Sequence, residues 1–484
     1  MIVDLVLKDA RVVTHEGVLE GGWVAVQAER IVAYGDPTID PPPARDIIDI
    51  AGNLLLPGPI DPHTHPGNYG MLRDELASES RSAALGGLTT ILGIVKSTRL
   101  GGEFKPQVSA EDVGSYLDVF AEGRECVERS SALDVAFTFV VMGDLHASEI
   151  PRYAEDLGVT SFKFFPSATP PTKWHASIGT PSTGDDGTVF LGLRNIAQIQ
   201  GLASFHPENS QVVRVLEKEV RASGLEGLEA WARRSPGFLE AYDVCKMAFF
   251  ARHTGATIYP VHVNSREGVA EIARVKRDGT SIYGETCVRY LVLTTEYAGN
   301  PYTLAKVTPP LRDRENQEAL WEGLRDGTLD TVGSDHSPMN LQMKAPEQGI
   351  WGAKAGFGDV GSLFPLMVSE GFTRGRISLE RLAQVCCENP ARAFGLYPRK
   401  GVIQVGSDAD LVVVDPSVRR RIRADELGSI ADFTPYEGME VQGWPVLTLL
   451  RGRPLLRNGE LVGPPRGRYL PRGSGSRKMA SVEA

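Results

Sequence analysis

The chain has 484 residues, of which 42% are hydrophobic and 23% are charged, a balance typical of ordinary globular proteins. This length suffices for about three domains, or for one large barrel with a smaller domain attached, so a small disulfide-rich scaffold is excluded. The formal net charge is −10, and no long basic cluster precedes the extreme C-terminus. Nucleic acid and anionic membranes are therefore poor partners, and a small-molecule enzyme is the better expectation.

Five cysteines occur without any C-x-x-C spacing, which argues against a disulfide framework and against a cysteine-based zinc site. A reducing cytoplasm is the simplest location. The N-terminal residues alternate apolar and polar side chains and include Asp4, Lys8 and Asp9, so they indicate a strand and not a signal peptide. No apolar run reaches the roughly 18 residues of a membrane-spanning helix, so we expect no span.

The sequence pattern at both ends of the chain predicts short strands. Residues 1–52 contain alternating strand-like runs separated by Gly and Pro, and the same texture returns in residues 400–462. We therefore predict one small β-sandwich domain built from both chain ends. The last residues, 463–484, contain Pro-Arg-Gly-Arg and Gly-Ser-Gly-Ser, which predict a flexible tail whose basic residues are solvated or bridge subunits.

Between these ends, residues 53–399 alternate apolar strand-like runs with helical stretches, the pattern of βα units around a parallel sheet. The clearest helical stretches are 210–234, 238–254 and 314–326. Eight candidate strands can be counted: 54–65, 88–95, 133–142, 159–167, 202–208, 257–265, 281–291 and 330–338. The expected fold class is therefore α/β, with a catalytic (β/α)8 barrel of the TIM type.

Ionisable side chains stand at the C-terminal ends of several of these runs, where the active-site residues of barrel enzymes lie. His63 and His65 occupy positions i and i+2 at the end of the first run. On a strand both imidazoles point the same way and can share one divalent ion. A lone His-x-His is a weak indication, because a pair of surface or capping histidines is about as frequent.

Further strand ends strengthen the metal interpretation. Lys163 lies among the aromatic residues of segment 160–165, where a buried, unpaired ammonium is costly. His206, His262 and Asp335 each follow another apolar run. Coordinating side chains at so many strand ends are much rarer than isolated core histidines. The set therefore predicts a metal centre at the mouth of the barrel.

With these motifs the sequence resembles the cyclic amidohydrolases, the group of hydantoinases, dihydropyrimidinases and allantoinases in the amidohydrolase superfamily. The resemblance extends from about residue 1 to 462. It rests on the order and spacing of these segments: Asp61-x-His-x-His65, Phe162-Lys163, His206-Pro-Glu-Asn, Val261-His262-Val, Gly284-Glu-Thr-Cys287, Lys306-Val-Thr-Pro-Pro-Leu-Arg312, Gly333-Ser-Asp335-His-Ser and Gly406-Ser-Asp-Ala-Asp-Leu411. It implies two divalent ions, usually zinc, bridged by a lysine that CO2 has carboxylated.

The resemblance also implies a role for each ligand. Three side chains would hold the more buried ion: His63, His65 and Asp335. Two would hold the more exposed ion, His206 and His262, and carboxylated Lys163 would bridge both ions. A bridging hydroxide would attack the ring amide, with Asp335 as general base and then general acid. The implied function is metal-dependent opening of a hydantoin-type ring by a cytoplasmic homo-oligomer, a dimer or tetramer.

Departures from the family pattern bear on the substrate. Dihydroorotases carry an arginine two positions past the second histidine, and here that position is Gly67, so dihydroorotase is disfavoured. Many D-selective hydantoinases and dihydropyrimidinases have a tyrosine five residues after the lysine, and here that position is Ala168. Thr169 follows with a hydroxyl, and the pair resembles L-hydantoinase-like proteins. Segment 433–439 is similar to that branch and to allantoinases. Allantoinase, dihydropyrimidinase and other cyclic imide or ureide hydrolases therefore stay open as alternatives.

Several residues are weaker substrate-binding candidates. Thr169 is one, and Cys287 and Val288 belong to a segment whose backbone holds the ring amide in the family. Lys96 and Arg99 follow the second run; they lie in a solvated loop or salt bridge, or one of them meets an anionic substrate group outside the ring. Four aromatic residues on presumed loops either wall the pocket or pack in the core: Tyr69, Trp174, Trp351 and Phe357.

Two other classes compete with a cyclic amidohydrolase. One is a non-catalytic scaffold of the same fold that has lost its metal ligands, but here every ligand position is filled. The other is a deaminase of the same superfamily, which usually has a mononuclear site and lacks the Phe-Lys pair. A metal content near one ion per chain would favour the deaminase.

Overall fold

The computed structural model describes residues 2–100, 112–167 and 185–473. Its strands, numbered in chain order, are β1 (Val3–Thr14), β2 (Gly17–Gln27), β3 (Arg30–Gly35), β4 (Ala44–Asp49), β5 (Leu54–Pro57), β6 (Ile60–Thr64), β7 (Thr90–Val95), β8 (Asp134–Val140), β9 (Ser161–Phe164), β10 (Leu202–Phe205), β11 (Thr257–Pro260), β12 (Glu285–Cys287), β13 (Thr331–Gly333), β14 (Leu411–Arg421), β15 (Glu440–Leu450), β16 (Arg453–Arg457) and β17 (Glu460–Leu461).

Helices follow most of the barrel strands and cover the outside of the barrel. The α-helices are Leu72–Leu85, Ser97–Leu100, Tyr116–Ser130, Asp144–Leu157, Asp186–Gln198, Ser210–Ala222, Gly227–Arg233, Phe238–Thr254, Arg266–Arg277, Val288–Val292, Arg314–Asp326, Leu341–Lys344, Gly349–Gly352, Leu363–Leu366, Leu379–Ala383 and Asn389–Ala393. Two π-helical segments are Met367–Thr373 and Gln384–Glu388. Within the described ranges, none of the helices combines the length and apolar character that crossing a bilayer requires.

The barrel contains the eight strands β6 to β13. Strands β6 to β11 form one parallel sheet in sequence order, and β12 pairs with β13. Two isolated bridges, Thr64 with His336 and Ile258 with Ile282, close the circle. Each of the eight predicted runs contains one of these strands, so the (β/α)8 prediction is confirmed. Strands buried on both faces consist of nearly continuous apolar residues, which is why these runs were visible in the sequence.

The two chain ends build one nine-stranded sheet, in the order β17-β16-β15-β14-β5-β1-β2-β3, with β4 paired to β1. Its core includes Leu7, Val24 and Leu411. The prediction that both ends form one β-domain is confirmed, but its boundary after residue 52 is wrong for β5. This strand pairs antiparallel with β14 and parallel with β1, so Leu54–Pro57 belongs to the sheet and the barrel begins at β6.

The expected flexible tail is ordered over residues 463–473. Val135 of β8 donates its N–H to the carbonyl of Arg468, and Leu470 donates to the carbonyl of Val135. Leu470 is 0% exposed, and the Arg472 guanidinium donates to the carbonyl of Phe137. The segment therefore packs against the barrel strands, and the flexible-tail prediction is wrong there. Residues 474–484 lie outside the described part of the chain.

A buried ionic cluster joins the barrel to the β-domain. Lys400 Nζ lies 2.6 Å from Asp134 Oδ2 at the start of β8 and 2.5 Å from Asp410 Oδ2 just before β14. Asp408 Oδ2 lies 3.0 Å from the same ammonium. The three carboxylates could form a cation site by their spacing, but Lys400 already supplies the positive charge at their centre.

Candidate active site and metal centre

The six predicted metal ligands meet at the carboxyl end of the barrel. Two of them lie within strands, His63 in β6 and Lys163 in β9, and four follow a strand end within two residues: His65, His206, His262 and Asp335. All six line one cavity of about 580 Å³. Parallel strands present their carboxyl ends at the same rim, so residues far apart in sequence converge there.

Three of the ligands form a compact group. His63 Nε2 lies 3.2 Å from His65 Nε2 and 3.3 Å from Asp335 Oδ1. His65 Nε2 lies 2.9 Å from the same carboxylate oxygen. Burial lowers the pKa of His65 to about 4, so its imidazole is neutral near pH 7, the form that binds metal. This group could hold a divalent ion.

A second group faces the same cavity. His206 Nδ1 lies 2.8 Å from His262 Nε2. Burial and the neighbouring His206 hold the pKa of His262 well below its usual range. Across the described residues, His262 Nδ1 has no hydrogen-bond partner. Two imidazole nitrogens directed at one point suit a shared cation, which accepts both lone pairs.

Lys163 lies in the same cavity and is 1% exposed. Its Nζ makes no hydrogen bond within the part of the chain that the structure describes. Burial lowers the pKa of Lys163 to about 8, although Glu285 and Asp335 oppose that shift. A buried ammonium without a partner is costly. The residues present therefore fit a metal centre in which this amine becomes part of a ligand.

Two carboxylates lie behind the histidine ligands. Glu285 Oε1 is 2.7 Å from His63 Nδ1, and Glu208 Oε2 is 3.2 Å from His206 Nε2. Burial would raise the pKa of Glu208, but the hydrogen bond with His206 and the charge of Arg234 lower it to about 2. Such carboxylates fix the tautomer and orientation of metal-binding histidines. Neither carboxylate was predicted to have a role, although Glu285 lies in Gly284-Glu-Thr-Cys287 and Glu208 in His206-Pro-Glu-Asn.

Asp335 is held by a buried arginine that the sequence analysis also missed. Arg289 is 0% exposed and donates from Nη2 to the carbonyl oxygens of Ser334, at 2.6 Å, and Asp335, at 3.0 Å. Its Nη1 lies 3.4 Å from Asp335 Oδ2. Asp359 neutralises the same guanidinium at 2.9 Å. Arg289 therefore contacts both the backbone and the side chain of the ligand.

The backbone is strained at two of the ligands. Asp335 has a φ of 52° and His262 a φ of 44°, in the left-handed region that favours glycine and is typical of functional sites. Burial would raise the pKa of Asp335. The charges of His63 and Arg289 and a hydrogen bond from His65 nevertheless hold it well below its usual range. The side chain is thus a carboxylate, ready to accept a proton or a cation.

The predicted substrate-binding residues do not all line the cavity, unlike the six predicted metal ligands. Lys96 lines the cavity and donates to Asn68 Oδ1 at 3.2 Å. Burial and the neighbouring Arg99 lower the pKa of Lys96 to about 7. Arg99 is buried and is not part of the described cavity wall. Cys287 and Val288 are also buried and do not line it, so the role of their backbone stays a prediction.

The remaining candidates divide between wall and core. Thr169 lies outside the described residues, together with Trp174. Tyr69 and Trp351 line the cavity. Phe357 is 0% exposed, and its ring packs 4.3 Å from the guanidinium carbon of Arg289, so it belongs to the core.

Fold and centre together define a TIM-barrel protein whose mouth can hold divalent ions. Residues 239–455 match the amidohydrolase family. The chain is 32% identical to an L-hydantoinase of Paenarthrobacter aurescens over 470 residues, 95% of this chain and 96% of the relative. It is 33% identical to an allantoinase of Rubrobacter xylanophilus over 436 residues, 88% of this chain and 89% of the relative.

A solved structure of an L-hydantoinase (dihydropyrimidinase) from Arthrobacter aurescens superposes with a TM-score of 0.86 at 30% identity. It covers 97% of this chain and 100% of that one. The chain belongs to the amidohydrolase family, in the group that contains the hydantoinases and allantoinases.

Proposed function

We propose that this chain is a cyclic amidohydrolase that opens a hydantoin-type ring by hydrolysing an amide C–N bond. One observation carries the proposal: the amine of Lys163, which has no hydrogen-bond partner among the described residues, lies in the same cavity as two convergent ligand groups. A buried lysine with no partner has no structural use. It has a chemical use once it is converted to an anionic ligand between two cations.

The proposed cofactor is a pair of divalent ions, zinc in the native enzyme. One group of ligands consists of His63, His65 and Asp335, and the other consists of His206 and His262. Lys163 serves both groups as a carbamate. Its neutral amine adds to CO2, an N–C bond forms, one proton is lost, and an anionic carboxylate remains. The lowered pKa of Lys163, about 8, increases the fraction of neutral amine that can react.

When bound, the two ions supply an activated water and polarise the ring carbonyl. Asp335 accepts a proton from that water as the water oxygen bonds to the ring carbonyl carbon, and it delivers the proton to the ring nitrogen as the C–N bond breaks. Arg289 keeps the Asp335 carboxylate ionised and aimed into the cavity, since it contacts Oδ2 at 3.4 Å and the main-chain oxygen at 3.0 Å. Glu285 and Glu208 orient the histidines behind the site.

Two measurements test the proposal. Elemental analysis of protein purified without chelator should give two divalent ions per chain, and active protein with one ion or none would contradict the binuclear centre. An activity panel should then compare hydantoins of both hands, dihydrouracil, allantoin and simple cyclic imides. We expect ring opening of a hydantoin to be fastest. Failure to open any ring in metal-loaded protein would contradict the proposed function.

We also propose that the enzyme works as a homodimer or homotetramer in the cytoplasm. All five cysteines are free thiols, which suits a reducing compartment. Exposed aromatic side chains lie on two neighbouring helices, Phe190 on Asp186–Gln198 and Tyr242 and Phe249 on Phe238–Thr254, and such a patch is typical of an interface. Light scattering of the wild type and Phe249→Glu tests the assembly, and a monomeric wild type would contradict it.

A further inference from the structure

One side of the cavity contains a tryptophan with two cations over its ring. The Arg234 guanidinium carbon lies 3.4 Å from the ring centroid of Trp231, and Lys306 Nζ lies 3.9 Å from it. Trp231 Nε1 donates to the carbonyl of Val307 at 2.7 Å, which fixes the plane of the ring. Trp231 and Lys306 line the cavity that contains the metal ligands. The catalytic cavity therefore has a rigid cationic side.

Among the described residues Lys306 forms no ion pair, whereas Arg234 Nη1 lies 3.9 Å from Glu217 Oε2. In the described part of the chain, Glu217 is the one acid whose negative charge favours the protonated form of Lys306. The Glu217 carboxylate is already paired with Arg221 at 2.8 Å. The Lys306 ammonium donates to the carbonyl of Ala353.

Within the part of the chain that the structure describes, Lys306 uses one of its hydrogen-bond donors. An ammonium has three N–H donors, and the carbonyl of Ala353 accepts one of them. Lys306 is only 3% exposed, so water solvates it poorly. Burial lowers the pKa of Lys306 to about 7, and the charge of Arg234 adds to that shift. An anionic ligand that pairs with the ammonium favours the charged form of Lys306. Trp231 offsets part of the cost of burial through its π face.

We propose that Lys306 binds an anionic group of the substrate outside the ring that is opened, so that the preferred substrates are cyclic amides bearing a carboxylate side chain. This inference rests on the proposed function and adds the substrate class. A carboxylate seated on Lys306 replaces the missing counter-ion with a charge-assisted hydrogen bond. Trp231 lines the cavity beside Lys306 and adds apolar surface next to the methylene groups of such a side chain.

The test compares two substrates of nearly equal size, hydantoin-5-acetic acid and its uncharged amide, hydantoin-5-acetamide. In the wild type the acid should have the lower KM. Lys306→Met keeps the aliphatic stem over Trp231 and removes the charge. It should change the ratio of the two KM values by about 10- to 100-fold, the range for a hydrogen bond to a charged group. Lys306→Arg should recover part of the preference.

Two further variants serve as controls. Lys218→Met removes an exposed lysine of helix Ser210–Ala222 and should leave the ratio as it is in the wild type. Lys96→Met removes another buried lysine of the cavity, one outside the proposed metal ligands. An equal ratio in wild type and Lys306→Met, or a larger change in Lys96→Met than in Lys306→Met, would overturn the proposal.

Calorimetry separates this inference from the proposed function. Binding of hydantoin-5-acetic acid and of the amide is measured directly on folded wild type and Lys306→Met, whether or not either ring is opened. Preferential binding of the acid that disappears in the variant supports the Lys306 site even if turnover is absent. Equal binding of both compounds by the wild type would overturn it even if both rings are opened.

Discussion

Glu285 Oε1 lies 2.7 Å from Nδ1 of His63 and so determines which ring nitrogen of that histidine faces the cavity. The carboxylate accepts a hydrogen bond from the protonated Nδ1. The unprotonated Nε2 then directs its lone pair into the cavity. The same oxygen accepts the backbone N–H of His262 at 2.9 Å, and Oε2 accepts the hydroxyl of Tyr259 at 2.9 Å. One carboxylate therefore orders a histidine from each ligand group.

Glu285→Gln should weaken metal binding by about 10- to 100-fold, because it removes the charge behind His63 and keeps the size of the side chain. Competition with a chelator measures the affinity. Glu370→Gln changes a buried glutamate on the helical segment Met367–Thr373 and serves as the matched control. Wild-type affinity in Glu285→Gln would show that His63 is oriented by packing alone.

Lys163→Ala should lose most of the bound metal and the activity, while the fold survives because the barrel core carries the stability. Acetate or propionate should restore part of the turnover by occupying the place of the carbamate. Metal analysis, circular dichroism and rescue assays measure these effects. As a control, Lys96→Ala removes another lysine of the same cavity, and short acids should not change its turnover. Wild-type turnover in Lys163→Ala would disprove the bridging role.

Asp335→Asn should retain more metal than Lys163→Ala and still lose turnover by about 10²- to 10⁴-fold, the usual contribution of a positioned acid or base. The amide can still ligate through its oxygen, but it cannot take up a proton. Metal content and kcat are measured on the same preparations. If metal and rate fall in parallel, Asp335 acts mainly as a ligand.

Deleting residues 463–484 should lower the free energy of unfolding by at least about 2–5 kcal/mol, the loss expected for removing a buried leucine such as Leu470. The carbonyl of Phe137 also loses its hydrogen bond from Arg472. Thermal melting compares this truncation with removal of residues 474–484 alone, which should leave the midpoint nearly unchanged. Equal midpoints for both truncations would show that segment 463–473 adds no stability.

The convergence of the six candidate ligands could be predicted, because each of them lies in or just after an apolar strand and a barrel brings such positions to one rim. The carboxylates behind the histidines, Glu285 and Glu208, could not be predicted. The chain has 61 acidic residues, and the pairing of β12 with β13 decides which of them lies behind His63. Arg289 was equally hidden, since its contacts with Asp335 depend on how helix Val288–Val292 packs.

The division of the first predicted run, 54–65, into strands β5 and β6 could not be predicted from its hydrophobic pattern. Residues 54–60 are apolar throughout, so periodicity alone cannot separate β5 from β6. The break falls at Gly58 and Pro59, between β5 and β6, and a Pro-Gly-Pro turn there was the available signal. The tail was misjudged because its Pro, Gly and Arg composition suggests disorder, whereas Leu470 and Arg472 are buried.

The sheet made from both chain ends also has a consequence for biosynthesis. Strand β5 leaves the ribosome early, but β14, its antiparallel partner, is made only after the whole barrel. At about 5–20 residues per second, that delay is on the order of tens of seconds. Throughout it, the apolar β5 presents an unpaired edge, which is a template for aggregation. The nascent chain therefore depends on rapid barrel folding or on a chaperone until its last strands arrive.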